Sequence, residues 1–453
     1  MKFLIAISFL VLNFYINKVN AEIYLGEDLS NSLAKLYDYN PKIKYEREIL
    51  KAKDELLPRA FSQFRPEVSG YYQKGKVDTN SQGFNITSDG IRTETNKGLV
   101  ISQSVFDGGS SLSEIQISKN EILAQRYFLR NIEQEVFLDA IELYANLATE
   151  ASNLKLKKKN VEVLKRQLEL TKEQFQIGEV TMTDVSLAEA RLSLAESENL
   201  ESTNNLNSLE ANFFSVFGVS SKIPEVKIPL KKFNKAESDL KKKALANNPK
   251  INEIKYKLKS YEKQIQALKR KQLPSVKLEA EAKINQGYFR TDSKREVLSA
   301  FAKVDIPLYQ SGAASSKIRE IRKQKFAEKE LLKLESRNLE YNLVSTKSTY
   351  DYSQSRINAY KKQIESNKIY LEGLKQELQL GERTTLDVLN GEQELLESGL
   401  GLTNAYKDHF ISYYKLLFHI GNLNAKDLKL NVNLFDEEEN YNKVKKKWLD
   451  IIE

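Results

Sequence analysis

Two short stretches of this sequence carry residue types that could form a charged or capped site. The first is 178–192, GEVTMTDVSLAEARL, and the second, 203 positions later, is 381–395, GERTTLDVLNGEQEL. They share a Gly, a Thr and an Asp at the same spacing: Gly178, Thr181 and Asp184, and Gly381, Thr384 and Asp387. Such a Gly can end a helix in a left-handed turn, and the Thr can cap the next helix. Each stretch is therefore predicted to be the tip of a helical hairpin.

The chemistry that these residues could perform is electrostatic. Arg383 lies in the second tip, and the forked guanidinium of an Arg can bind a carboxylate through two nitrogens. Asp184 and Asp387 could accept such bonds, or attract cations if several copies of one acid came together. A plainer role stays open for both Asp residues, because the helix macrodipole favours an acid near a helix N-terminus.

The remaining sequence offers little for catalysis or metal binding. The two histidines, His409 and His419, lie ten residues apart, and the chain has no Cys with which they could form a metal-binding set. The sequence contains neither a Gly-rich phosphate-binding loop nor a nucleophile elbow. We therefore expect no enzyme activity, no metal and no other cofactor.

The N-terminus and the charge pattern indicate an exported protein. Lys2 is followed by an apolar run over 3–16 and by Val19-Asn20-Ala21, an end that is typical of a cleaved signal peptide over 1–21. The apolar run is too short to span a bilayer as a helix. The formal net charge is +8, but Lys and Glu are interleaved as on solvated helix faces, so we expect no nucleic-acid partner.

The eight prolines indicate an internal duplication. Two dipeptides recur at corresponding places: Asn40-Pro41 and Asn248-Pro249, and Leu57-Pro58 and Leu273-Pro274. No Pro lies within 67–223 or after residue 307, so two long stretches lack the residue that breaks helices. The predicted organisation is a first repeat over 22–221, a linker over 222–234, a second repeat over 235–421 and a C-terminal tail or equatorial segment over 422–453.

Each half is predicted to contain the same elements in the same order. The predicted helices are a first helix (25–61 and 235–271), a very long helix (110–177 and 313–380) and a return helix after the tip (183–217 and 386–420). At ~1.5 Å per residue each long helix would reach ~100 Å. A first helix and a return helix placed end to end would match that length, so we expect a tall helical column.

Two strand segments precede each long helix. They are predicted over 66–74 and 98–106 in the first half and over 277–284 and 298–308 in the second. In 277–284, Leu278, Ala280, Ala282 and Ile284 face one way, and Lys and Glu face the other. This alternation is typical of the strands of outer-membrane barrels. The edge of a soluble sandwich has the same pattern and stays an alternative.

Taken together, these markers resemble the TolC family of outer-membrane efflux and secretion ducts. They are the duplicated Pro steps, the turns SQSVFDGG (102–109) and VDIPLYQSG (304–312), and the two tips. The resemblance implies a mainly α fold with a small β part, in which a homotrimer forms a twelve-stranded β-barrel in outer-membrane lipid and an α-helical barrel in the periplasm. Four strands alone cannot close a barrel, and lipid tolerates no open sheet edge.

The resemblance also implies a function. The chain would be a passive exit duct of a tripartite efflux or type I secretion system, partnered by a periplasmic adaptor (membrane fusion) protein and an inner-membrane ABC or proton-driven transporter. By this resemblance Gly178, Thr181, Gly381 and Thr384 would dock the adaptor, Asp387 and Asn390 would form the pore constriction, and Asp184 and Arg383 would form a gate latch. Asn390 stands where the family carries a second acid. The alternative is a non-transporting periplasmic coiled-coil structural protein, which has no use for alternating strands.

Overall fold

The computed structural model describes residues 27–79, 90–218, 233 and 237–448. The predicted signal peptide (1–21) and all of the predicted linker (222–234) except Phe233 lie outside the described residues. Within the described ranges, none of the helices is both long and apolar enough to span a membrane.

The two halves contain the same succession of helices and strands. The first half comprises α1 (Glu27–Tyr39), α2 (Pro41–Asp54), α3 (Leu56–Ser62), β1 (Glu67–Thr79), β2 (Gly90–Phe106), α4 (Ser110–Gln176) and α5 (Met182–Phe217). The second comprises α6 (Glu237–Asn247), α7 (Pro249–Arg270), β3 (Ser275–Gln286), β4 (Lys294–Asp305), α8 (Ala313–Gln379) and α9 (Thr385–His419), followed by α10 (Glu439–Val444). The mainly α fold with a small β part is confirmed.

The first helix of each half is broken, so the prediction of one continuous helix there was wrong. The side chain of Asn40 accepts hydrogen bonds from the backbone N–H groups of Lys42 and Ile43, and Asn248 accepts one from Ile251. Each Asn thus caps a new helix whose first residue is Pro, a favoured position for Pro. A residue before Pro also avoids the helical conformation, and Asn40 has ψ 124°. Asn-Pro therefore ends one helix and starts another.

The long helices are as predicted, with 67 residues each. At ~1.5 Å per residue each spans ~100 Å. The largest buried cluster surrounds the middle of α4. At this level an end of α1 meets an end of α5, and both pack against α4. Its members include Leu33, Phe137, Ile141, Leu147, Phe213, Phe217, Leu240, Leu343, Tyr350, Leu416 and Leu417. Two shorter helices stacked end to end therefore match one long helix, and the core lies at the waist between them.

The four strands form one antiparallel sheet in the order β1-β2-β3-β4. The register aligns Val68 with Ile101, Ile101 with Ala280, and Ala280 with Ala300, so most apolar residues of the four strands share one face. The first two strands continue through polar residues beyond the predicted ends, because ladder hydrogen bonds need no apolar side chains. By contrast β4 ends at Asp305, shortly before Pro307, which cannot donate to a ladder.

The strand-to-helix turns provide a test of this packing. Gly108 has φ +68°, and a Cβ there would lie 2.3 Å from the carbonyl oxygen of Arg270. Gly312, in the corresponding turn of the second half, has φ +78° with nothing within 4 Å of that position. We expect Gly312→Ala to lose only about 1–2 kcal/mol for its left-handed backbone. Gly108→Ala should lower the melting temperature of the detergent-purified protein further, because α7 must also move. Equal losses in the two variants would contradict this packing.

Candidate gate at the hairpin tips

The two tips have the same backbone geometry. Gly178 and Gly381 are left-handed, with φ +83° and +77°, and each follows the end of a long helix. In the first tip Gly178 donates to the carbonyl of Phe175, and Glu179 donates to Gln174. The second tip repeats both bonds at the equivalent residues. This pattern closes the last carbonyls of a helix and reverses the chain, as predicted for both tips.

A capping box starts each return helix. The Thr181 hydroxyl accepts from the Asp184 N–H at 3.3 Å, and Oδ2 of Asp184 accepts from the Thr181 N–H and Oγ1 at 2.9 and 2.7 Å. Thr384 and Asp387 repeat these bonds at 3.3, 3.0 and 2.8 Å. Hydrogen bonds from the Thr side chain and backbone lower the pKa of both carboxyls. The helix-start role that the sequence left open is therefore present at both Asp residues.

Arg383 and Asp184 have different partners within one chain. Arg383 Nε donates to Oε2 of Glu377 at 2.8 Å, which closes the second tip onto the end of α8. The bonds of Asp184 to Thr181 all use Oδ2, so the cap does not require its other oxygen. A latch between the two residues stays a prediction, and it would have to join neighbouring hairpins.

One contact between the return helices was missed by sequence reasoning. Arg191 NH2 donates to Oδ1 of Asn390 at 3.2 Å and so joins α5 to α9. Beside it, Leu389 packs on Leu164 and Ala195 of the first hairpin. Asn390, which the sequence assigned to the pore constriction, is therefore engaged by the other hairpin of the same chain. The available signal was that Arg191 corresponds to Glu394, a charge reversal within otherwise similar tips.

An ion pair also joins the two helices of each hairpin one or two turns from its tip. Lys172 pairs with Glu189 at 2.8 Å, and the equivalent Lys375 pairs with Glu392 at 2.7 Å. Small buried clusters lie beside these pairs: Leu168, Val185 and Ala188 in the first hairpin, and Leu371, Leu374 and Val388 in the second. The two helices of each hairpin are therefore joined in the same way just behind both tips.

The histidines lie far from the tips and have core surroundings. His409 is buried, with Nδ1 3.1 Å from the Ser353 hydroxyl and its ring stacked on Tyr350. Burial lowers the pKa of His409, and it lowers the pKa of His419 to about 4. Among the residues that the structure describes, no group of three His, Cys, Asp or Glu side chains could hold a metal ion.

Comparison with known proteins agrees with this architecture. The Brucella suis outer membrane efflux protein BepC is 27% identical over 431 residues, covering 94% of this chain and 92% of BepC. The Escherichia coli outer membrane protein TolC is 23% identical over 86% of this chain and 81% of TolC. The crystal structure of the Vibrio cholerae outer membrane protein VceC superposes with a TM-score of 0.77 at 16% identity, covering 87% of this chain and 96% of VceC.

The family match covers most of both halves. The sequence fits the family described as outer membrane efflux protein over residues 54–219 and 240–421, which include both strand pairs, both long helices and both tips. The two matched segments correspond to the two halves that share one succession of elements. This chain therefore belongs to the outer membrane efflux protein family.

Proposed function

We propose that three copies of this chain close into a passive exit duct, and that contacts between hairpin tips gate its periplasmic end. The chain is an outer-membrane protein of the export class, as its family membership shows. One observation carries the proposal of closure. The described part of one chain is an open slab, and its two lateral edges have no partner there, either in the sheet or in the rows of helices.

The open edges follow from the order of elements across the slab. Within the described part of the chain, β1 and β4 each pair on one side only. Near the sheet the helices pack in the row α2-α4-α7-α8, and near the tips in the row α5-α4-α9-α8. The first half therefore supplies one edge at every level, through β1, α2 and α5, and the second half supplies the other, through β4 and α8.

Large apolar side chains are exposed along both helical edges. They are Tyr39, Tyr45, Leu194, Leu200 and Phe214 on the first edge and Phe326, Leu334, Tyr341 and Tyr352 on α8. Two different edges of one chain make a head-to-tail interface, which closes into a ring when the rotation allows. Three copies supply twelve strands, enough for a barrel that encloses a channel. Closure also removes the open edges that lipid does not tolerate.

The two faces of the sheet suit such a barrel. One face carries Leu278, Leu298 and Val304, which are exposed in the single chain, together with their apolar neighbours. The opposite face carries mainly polar residues. They are Lys277, Glu279, Glu281 and Lys283 with Ser and Lys of the adjacent strands, among which Val100, Val297 and Phe301 are interspersed. Apolar residues facing lipid and polar residues facing a lumen define an outer-membrane channel. A fibrous coiled-coil protein would have no use for this sheet, so the structure favours the duct.

The relatives supply the export context. BepC is named an efflux protein, so we propose that this chain is the exit duct of a tripartite efflux or type I secretion system. A periplasmic adaptor would dock at the tips around Gly178, Thr181, Gly381 and Thr384. An inner-membrane transporter would provide the energy for export through the passive duct. The adaptor opens the duct if it binds the open state more tightly than the closed state.

The gate latch would join Arg383 of one hairpin to Asp184 of a neighbouring hairpin. An exposed pair of this kind contributes only ~0.2–1 kcal/mol. Three copies that act together can still shift a closed-open equilibrium by one to two orders of magnitude, since ~1.4 kcal/mol is a factor of ten. The capping box holds the Asp184 carboxylate in its ionised form, which is the form that an Arg binds.

For the latch, we expect Arg383→Ser and Asp184→Ala each to raise the resting conductance of the reconstituted protein in planar bilayers about tenfold. The double variant should add less than the sum of the two effects, as coupled residues do. The latch hypothesis fails if both single variants conduct as little as the wild type.

Two control variants distinguish a latch between hairpins from the bonds that Arg383 and Asp184 make within their own tips. Glu377→Gln removes the ion-pair partner that Arg383 has within its own tip, and Thr181→Ala removes the capping box without removing the Asp184 charge. Both controls should stay closed. If Thr181→Ala opens the duct as much as Asp184→Ala, the cap rather than the latch holds the gate.

For the pore constriction, we expect Asp387→Asn to weaken the cation preference of the channel, measured as the reversal potential in a salt gradient. Three Asp387 carboxylates in a ring attract cations. Because Asn390, one turn further along α9, is neutral, no second ring of acids would lie beside the first. The side-chain oxygen of an Asn can still accept from the Thr384 N–H, so the helix start should survive. Asp184→Asn makes the same change in the other tip and should leave the preference unchanged. A reversal potential that Asp387→Asn does not alter would remove this residue from the pore.

A further inference from the structure

The C-terminal segment 422–448 forms a strap along the outside of the first half. Its contacts on α4 move toward the sheet as the strap proceeds: Ala425 N–H donates to Glu133 at 2.8 Å, Glu437 pairs with Arg130 at 2.7 Å, and Glu438 pairs with Arg126 at 2.9 Å. Its contacts on α1, on α2 and on the segment before β1 follow the same direction: Phe435 N–H donates to Tyr37 Oη, Asn440 donates to Asp54 Oδ2, and Arg65 donates to the Lys447 carbonyl. The strap therefore runs from the waist to the base of the sheet.

The end of the strap is fixed beside the first residue of β1. Arg65 NH1 donates to the Lys447 carbonyl oxygen at 2.9 Å, and the Arg65 guanidinium lies 4.6 Å from the centre of the Trp448 ring. Arg65 is separated from the start of β1 at Glu67 by one residue. Trp448 thus lies at the level where the sheet meets the helices.

The register of the sheet indicates which of its two faces the contact between Arg65 and Trp448 adjoins. Gln103 pairs with Leu278 and so belongs to the apolar face. The side-chain amide of Gln103 donates to the Phe64 carbonyl oxygen at 3.0 Å. The segment that carries Phe64 and Arg65 is therefore joined to the apolar face, which is the face that meets lipid in a barrel. This places Trp448 on the outer surface, at the boundary between lipid and water.

The strap ends in the residue types that suit this boundary. Residues 445–448 are Lys445, Lys446, Lys447 and Trp448. Lys443, just before them, pairs with Glu439 at 2.6 Å, and Asp450 and Glu453 follow in the sequence. Trp448 is 66% exposed. Trp is enriched at membrane interfaces because its ring is apolar and its N–H is polar. Clustered Lys and Arg residues attract anionic phospholipids.

We propose that this basic-aromatic end, Lys445, Lys446, Lys447 and Trp448, binds the headgroups of anionic phospholipids at the periplasmic surface of the outer membrane. Arg65 positions the ring of Trp448, and the Lys side chains meet the lipid phosphates. The proposal rests on the proposed duct, because the closed barrel sets the level of the bilayer. The strap would then hold the helical column at a fixed height beneath the membrane.

Trp448 is the only Trp in the chain, so its fluorescence reports on this site alone. The detergent-purified full chain is titrated with short-chain phosphatidylglycerol, phosphatidylcholine or inorganic phosphate while the Trp emission is followed. We expect phosphatidylglycerol to shift the emission at a concentration about tenfold below that needed for phosphatidylcholine, and phosphate to cause no shift. A triple variant, Lys445→Gln, Lys446→Gln and Lys447→Gln, should need about tenfold more phosphatidylglycerol. The matched control Lys157→Gln, Lys158→Gln and Lys159→Gln, in the middle of α4, should respond like the wild type.

The opposite results would overturn the proposal. Equal midpoints for the two lipids, an equal response to phosphate, or a triple variant that responds like the wild type would each exclude a headgroup site. A Trp emission that no lipid alters would instead assign Trp448 to contact with a neighbouring subunit. Conductance of the same preparation in planar bilayers tests the duct separately. A preparation that conducts but shows no lipid preference contradicts this proposal alone, and one that shows the preference but does not conduct contradicts the duct.

Discussion

The constraint on which the rest of the structure depends is that a sheet in lipid cannot leave its edges unpaired. One chain supplies four strands with β1 and β4 at the ends, so in the part of the chain that the structure describes the sheet alone has no closed form. The rows of helices also have open edges. They end at α2, α5 and α8, where apolar side chains are exposed. Closure of the sheet by further copies therefore also covers the helical edges. In the proposed ring, the long helices would extend far from the membrane and end at the tips, the proposed gate.

The internal duplication separates structural residues from residues with a special role. Positions that are identical in the two tips form the turn and the cap: Gly178 and Gly381, Thr181 and Thr384, and Asp184 and Asp387. Positions that differ make the contacts that distinguish the hairpins. Arg383 stands where the first tip has Val180, and Asn390, which binds Arg191, stands where it has Leu187. The proposed gate would thus take its asymmetry from a few substituted positions on turns of the same geometry.

Much of the fold could be predicted because its signals are local. Gly178 and Gly381 end helices, Pro-free stretches become long helices, and alternation marks strands. The break at Asn40-Pro41 was missed although its signal is also local, because the dipeptide was used only as a marker of duplication. The charge reversal at Arg191 was visible in the sequence, but its partner Asn390 was not, because that pairing depends on which faces of distant helices meet. The strap along α4 could not be predicted for the same reason. The capping role of Asp184 was foreseen as an alternative, whereas the bond from Arg383 to Glu377 required side-chain positions.

The central claim, that three copies close through the edges of β1 and β4, can be tested by cross-linking in a chain that has no native Cys. Ser69 and Ser299 lie in one row on the polar face of the sheet, on the two edge strands. Within one chain they are three strand spacings apart, ~14 Å, so a shorter bifunctional maleimide can join them only across an interface. The account predicts that the double variant Ser69→Cys and Ser299→Cys, labelled in outer-membrane fractions, gives covalent dimers and trimers and nothing larger. A product that stays monomeric, or a ladder that continues beyond three chains, would contradict it.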